Sequence, residues 1–164
     1  MKILYVIIMM LFLGMMSCSE DNLKGYSSSN YIQFDKLSKD STVFSFAYDE
    51  TLESGTVALK LVMISPLVDR DRKYNVKFLQ DESSAQAGVD FEMPAEEQVI
   101  AANDSVAYLN VTVTRNEALK GSVLAVFEVQ GSGDFMPGIE ANRKGRIFIT
   151  NQLTRPGWWN DWHE

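Results

Sequence analysis

Residues Asp81 to Arg115 read DESSAQAGVDFEMPAEEQVIAANDSVAYLNVTVTR. From Ala107 every second residue is apolar, through Leu109, Val111 and Val113, with Tyr108, Asn110, Thr112 and Thr114 between them. A period of two sustained over this length belongs to a strand with one face buried and the other in water. Upstream, Ala87-Gly88 marks a turn, Asp90-Phe91 leads out of it, and a loop follows before Val99-Ile100. A turn, a loop and one long half-buried strand are parts of an all-β domain.

Working outward, the same kind of run recurs. Tyr31 to Phe34 is the first, and Thr42 to Tyr48 sets Phe44, Phe46 and Tyr48 against Val43, Ser45 and Ala47. Thr56 to Ile64 alternates through Val57, Leu59, Leu61 and Met63, and Arg72 to Leu79 through Tyr74, Val76 and Phe78. Val123 to Val129 is apolar on both faces and reads as a central strand, and Arg146 to Thr150 closes the series. Turn signals separate the runs, among them Glu53-Ser54-Gly55, Ser65-Pro66, Lys120-Gly121, Gly131-Ser132-Gly133 and Pro137-Gly138. No long helical period interrupts them; Glu117 to Lys120 accounts for one turn at most. Many short strands at regular spacing predict an antiparallel β-sandwich. Its core is expected to hold Phe44, Phe46, Tyr74, Val76, Leu109, Val111, Val113, Val123, Ala125 and Phe127.

The chain has 164 residues, 46% of them hydrophobic and 23% charged, with a net charge of -7. That is one domain, large enough to bury a core without disulfides or metals. There is no basic stripe, so nucleic acid is not an expected partner. Cys18 is the only cysteine and His163 the only histidine. No intrachain disulfide can form, and a catalytic histidine would have to sit at the chain end. Neither a nucleophile-base pair, a phosphate loop nor a metal-ligand spacing stands out, so the expected function is non-catalytic and needs no cofactor.

The first seventeen residues read as a signal peptide: Lys2, then an apolar run from Ile3 to Met16 without charge. Gly14-Met-Met-Ser-Cys18 resembles the lipobox of bacterial lipoproteins, in which the cysteine is lipidated and becomes the first residue. Met15 and Met16 depart from the usual Leu or Val and small residue. Ser19-Glu20-Asp21 resembles the acidic surface-export signal of some Gram-negative lipoproteins, and is also what a solvated charge cluster looks like. The expected organisation is signal peptide 1–17, flexible tether 18–29, β-sandwich 30–151 and Trp-rich tail 152–164.

Several pieces in order resemble one family. They are Asn30-Tyr-Ile-Gln-Phe34, Asp40-Ser-Thr-Val-Phe-Ser-Phe46, Asp71-Arg-Lys-Tyr-Asn-Val76, Ala87-Gly-Val-Asp-Phe91, Val113-Thr-Arg115 with Leu119, Asp134-Phe135 with Gly138, and Arg155-Pro-Gly-Trp-Trp159. The chain resembles the secreted lipoproteins grouped as domain of unknown function forty-eight forty-three. The resemblance implies an immunoglobulin-like sandwich related to Calx-β domains, encoded beside outer-membrane uptake systems for glycans or peptides. It carries over no catalytic residue. Members usually continue beyond the double tryptophan, whereas this chain ends at Glu164, which implies a short variant or a truncated reading frame.

On that basis the expected protein is an outer-membrane, surface-exposed lipoprotein that serves as a binding module of a glycan or peptide uptake locus. The alternative is a structural or adhesin-like module that binds protein, with or without calcium. Ala87-Gly-Val-Asp-Phe91 is similar to the Gly-x-Asp-Tyr turn of Calx-β domains, some of which bind calcium through clustered carboxylates. Asp69 and Asp71 lie at one end of the Tyr74 strand and Asp81 and Glu82 at the other, too far apart for one site. Asp81, Glu82 and Asp90 remain as a weak metal candidate. Against it stands a plain role for Asp90, capping its turn. Trp158, Trp159 and Trp162 are the candidate binding residues: they can stack on a sugar or a partner, or pack over one end of the sandwich. Asp40-Ser41-Thr42 and Asp104-Ser105-Val106 resemble bacterial O-glycosylation acceptors.

Overall fold

The computed structural model describes residues 29–40 and 42–153. In chain order its elements are β1 (Tyr31–Phe34), α1 (Lys36–Asp40), β2 (Thr42–Ser45), β3 (Ser54–Ile64), β4 (Arg72–Phe78), β5 (Glu97–Ile100), β6 (Val106–Thr114), β7 (Ser122–Gln130), β8 (Met136–Pro137) and β9 (Lys144–Thr150). The strands form a four-stranded sheet in the order β6-β3-β1-β8 and a five-stranded sheet in the order β2-β9-β7-β4-β5. The two sheets enclose one core, which makes an immunoglobulin-like β-sandwich. Among the described residues no helix is long and apolar enough to cross a membrane.

The alternation read in β6 is the alternation observed: Ala107, Leu109, Val111 and Val113 are buried, and Tyr108 and Asn110 face water. Its inner residues stand opposite those of β3, Val111 against Val57 and Leu109 against Leu59. Apolar residues on both faces of β7 match its place in the middle of the larger sheet. Phe46, Tyr74, Val76, Ala125 and Phe127 are also core; Phe44 and Val123 are half-buried against it. The Phe44 ring lies directly on Gly55, where any side chain would collide with it.

Three local features differ from expectation. The run from Thr42 ends as a strand at Ser45, whose hydroxyl accepts the Ala47 N–H at 3.2 Å and turns the chain into a 3-10 helix, Phe46–Tyr48. Tyr48 is 61% exposed as a result. α1 is five residues long and starts on Asp35, whose carboxylate accepts the Ser38 N–H at 2.9 Å. It carries the chain from one sheet to the other. Two strand pairs are consequently parallel, β1 with β8 and β2 with β9, in a sandwich that is otherwise antiparallel.

The strand directions give the molecule two poles. The loops joining β3 to β4, β5 to β6 and β7 to β8 share one pole with Tyr31; those joining β2 to β3 and β6 to β7 share the other with Thr150.

Candidate functional site

Cys18, Trp158, Trp159 and Trp162 lie outside the described residues. Asp81 and Glu82 sit in the 3-10 turn Gln80–Glu82, both exposed, with Glu82 paired to Lys144. Asp90 is 3% exposed and closes the turn that begins at Gln86. One of its carboxylate oxygens accepts the Gln86 N–H at 2.8 Å and the other the Asn116 side-chain amide at 2.8 Å. Gly88, at φ 79°, takes the left-handed position within that turn. The chain then runs along the edge of β6, where Glu92 donates to the Thr112 carbonyl and Thr114 to the Asp90 carbonyl. Phe91 enters the core beside Phe78 and Phe127, with ring centroids 5.0 and 5.6 Å away.

Calcium takes six to eight oxygen ligands, several of them carboxylate. Asp90 has both oxygens engaged by protein donors, and among the described residues no three of His, Cys, Asp and Glu gather into a cation site. Asp81, Glu82 and Asp90 therefore do not fit a calcium ion. Asp71, at the far end of β4, accepts the Ala102 N–H at 2.9 Å, and Asp69 is exposed.

The excursion from 79 to 96 makes a cleft instead. Its cavity of about 510 Å³ is lined by Phe78, Gln80, residues 83–87 and Met93. The loop is held down by two serines. The Ser83 hydroxyl donates to the Leu79 carbonyl at 2.7 Å and accepts the Val126 N–H at 3.0 Å, and the Ser84 hydroxyl accepts the Leu124 N–H at 2.9 Å. Gln80 and Gln86 are exposed, their side-chain amides without a partner among the described residues, and Met93 is 51% exposed beside them. Among the described residues no charged side chain lines this cavity. An adjoining cavity of about 250 Å³ shares Phe78, Gln80 and Met93 and reaches Lys77 and Glu96. An amide both donates and accepts, so two amides beside an apolar shelf suit a neutral ligand rich in hydroxyls.

Charge is concentrated elsewhere. At the Tyr31 pole, Asp134 accepts from Arg70 at 2.6 Å and from the Lys73 N–H at 2.9 Å, and these bonds hold its carboxyl below the usual range. Tyr74, inside the sandwich, has its phenol pushed up to about 12 by burial.

Sequence reasoning missed Gln80, Gln86 and Met93. Their grouping depends on Ser83 and Ser84 bonding to a strand some forty residues away, as the separations of 43 and 40 show. No local pattern announces such a contact.

The fold has counterparts among solved structures. The apo form of the Calx CBD1 domain superposes with a TM-score of 0.55 at 9% identity, over 74% of this chain and 96% of that one. The calcium binding domain CBD12 of CALX1.1 gives 0.53 at 10% identity, over 74% of this chain and 43% of that one. A candidate carbohydrate binding protein from Bacteroides ovatus gives 0.54 at 14% identity, over 75% of this chain and 37% of that one. At such identities the likeness concerns the fold. No curated protein matches the sequence. Residues 25–164 match the family described as Domain of unknown function (DUF4843), and the chain belongs to that family.

Proposed function

We propose that this protein is a non-catalytic glycan-binding module, held on the outer face of the outer membrane by a lipid on Cys18 and serving a nutrient-uptake locus. The observation that carries the ligand class is the uncharged cleft: free amides on Gln80 and Gln86 beside Met93 and Phe78. Sugar hydroxyls bond to such amides, and the apolar face of a pyranose packs on such a shelf. The carbohydrate-binding description of the Bacteroides ovatus protein with this fold supports the same class. The anchor rests on the lipobox-like Gly14-Met-Met-Ser-Cys18.

A glycan array followed by calorimetry on the best hit tests the ligand. Gln80→Ala and Gln86→Ala should each weaken binding about tenfold, the worth of one or two hydrogen bonds. An array without hits, or hits indifferent to both changes, would sink the glycan reading. For the anchor, labelled palmitate should enter the wild type and not Cys18→Ala, and the variant should leave the membrane fraction.

A second reading is a protein-binding, adhesin-like module. It draws on Tyr108 and Ile64, 53% and 48% exposed on the outer face of the four-stranded sheet. A partner whose capture is lost in Tyr108→Ala, with the cleft variants unaffected, would favour it.

A further inference from the structure

Near the Tyr31 pole, away from the amide-lined cleft, a second cavity of about 430 Å³ opens on the outer side of β1 and β8. Tyr31, Ile64, Pro137 and Ile139 wall it, together with Gln33, Gly138 and Arg143. Ile64 and Ile139 are 48% and 64% exposed, so the apolar wall is open to a ligand.

The polar groups share one character. The Arg143 Nε donates to the Gly138 carbonyl at 2.8 Å, which fixes the guanidinium in place. Among the described residues neither of its terminal nitrogens has an acceptor, and no carboxylate pairs with it. Gln33 presses its Oε1 against Gly138, where an added Cβ would come within 2.5 Å, and that oxygen is buried without a partner. Its amide nitrogen is left as the accessible, donating end. Among the described residues no acidic side chain lines the cavity, although the chain carries a net charge of -7. A pinned guanidinium with both terminal NH2 groups free is the fork that a carboxylate fits.

We infer that this cavity binds an amphipathic monocarboxylate, its head on Arg143 and Gln33 and its aliphatic body along Ile64, Pro137 and Ile139. The volume lies within the range of small-ligand sites, about 300–1,000 Å³. The site is separate from the glycan cleft and shares no residue with it.

Octanoate titrated into the full chain, followed by calorimetry and amide NMR, tests this, with octan-1-ol and acetate as comparators. Octanoate should saturate one site and shift the Gly138 and Ile139 amides. Octan-1-ol should bind about tenfold more weakly or worse, for want of the charge-assisted bonds, and acetate not measurably. Arg143→Gln should lose about tenfold or more. Because Arg143 also braces Gly138, Ile139→Asp provides a second variant: it sets a negative charge on an exposed wall, should leave the fold intact and should abolish binding. Absence of saturable octanoate binding would overturn the proposal. So would octan-1-ol binding as tightly, shifts at Gln80 and Gln86 instead, or unchanged affinity in Ile139→Asp or in a folded Arg143→Gln.

Discussion

Arg72 and Phe135 are stacked inside the sandwich, with the guanidinium carbon 4.9 Å from the ring centroid. Arg72 is 1% exposed, and its bonds run to neutral oxygens: the Ser65 hydroxyl at 2.6 Å, the Asp104 carbonyl at 3.0 Å and the Pro66 carbonyl at 3.4 Å. Its Nε has no partner among the described residues. A cation buried on this footing ties three loops of one pole together. Arg72→Ala should cost about 3 kcal/mol or more, through the cavity and the oxygens left unpaired. Phe135→Leu, which keeps the bulk and removes the ring face, should cost about 1–2 kcal/mol. Urea unfolding of the two variants measures both; a neutral Arg72→Ala would show that the guanidinium does not hold the loops.

Val111 and Asn110 are neighbours in β6 with opposite fates, 0% exposed and exposed respectively. Val111→Asp puts an unpaired carboxylate between the sheets and should destabilise by about 4 kcal/mol or more. Asn110→Asp should change stability by less than about 0.5 kcal/mol. Expression yield and denaturant midpoints separate them at once.

Asp90 bridges Gln86 and Asn116, so Asp90→Ala should cost about 1–3 kcal/mol. Calcium at millimolar concentration, compared with chelator, should leave the wild-type melting temperature where it was, since both carboxylate oxygens are occupied by donors. A rise of several degrees that disappears in a folded Asp90→Ala would establish a calcium site here after all.

Tyr74 makes the fold sensitive to alkali. Its phenol ionises at 10.0 when unperturbed and at about 12 inside the sandwich. The folded state therefore keeps a proton that the unfolded chain gives up, and the associated stability is complete below pH 10 and lost as pH rises towards 12. The loss over that window should be about 2–3 kcal/mol. In Tyr74→Phe it should be absent; equal slopes of stability against pH in the two proteins would contradict this.

What could be read in advance followed from water. β6 meets solvent on one side, so its residues alternate; β7 is covered on both faces from Ala125 to Phe127, so apolar residues follow one another there, and both readings match the burial along the strands. β8 is two residues, one of them Pro137, at the edge of its sheet, and α1 is five, too short for any period to register. The sites were less legible still. Gln80, Gln86 and Met93 line one cavity through a loop folded onto β7, and Tyr31 and Arg143 line another because β1 and β8 pair. Asp90 could be singled out from its turn, but that its partner is Asn116, 26 residues on, could not.

The passage of the chain through α1 from one sheet to the other bears on how the domain carries load. The described chain enters at Tyr31 and reaches Thr150 at the opposite pole, and Ser45 of β2 stands beside Thr150 of β9 with both strands running the same way. Tension applied across the molecule would drag β2 lengthwise past β9, straining all four residue pairs from Thr42–Ile147 to Ser45–Thr150 together instead of peeling them one by one. Resistance to pulling is set by the rate of unfolding rather than by equilibrium stability. Strands loaded in this way resist as a unit, as a hairpin opened from one end does not.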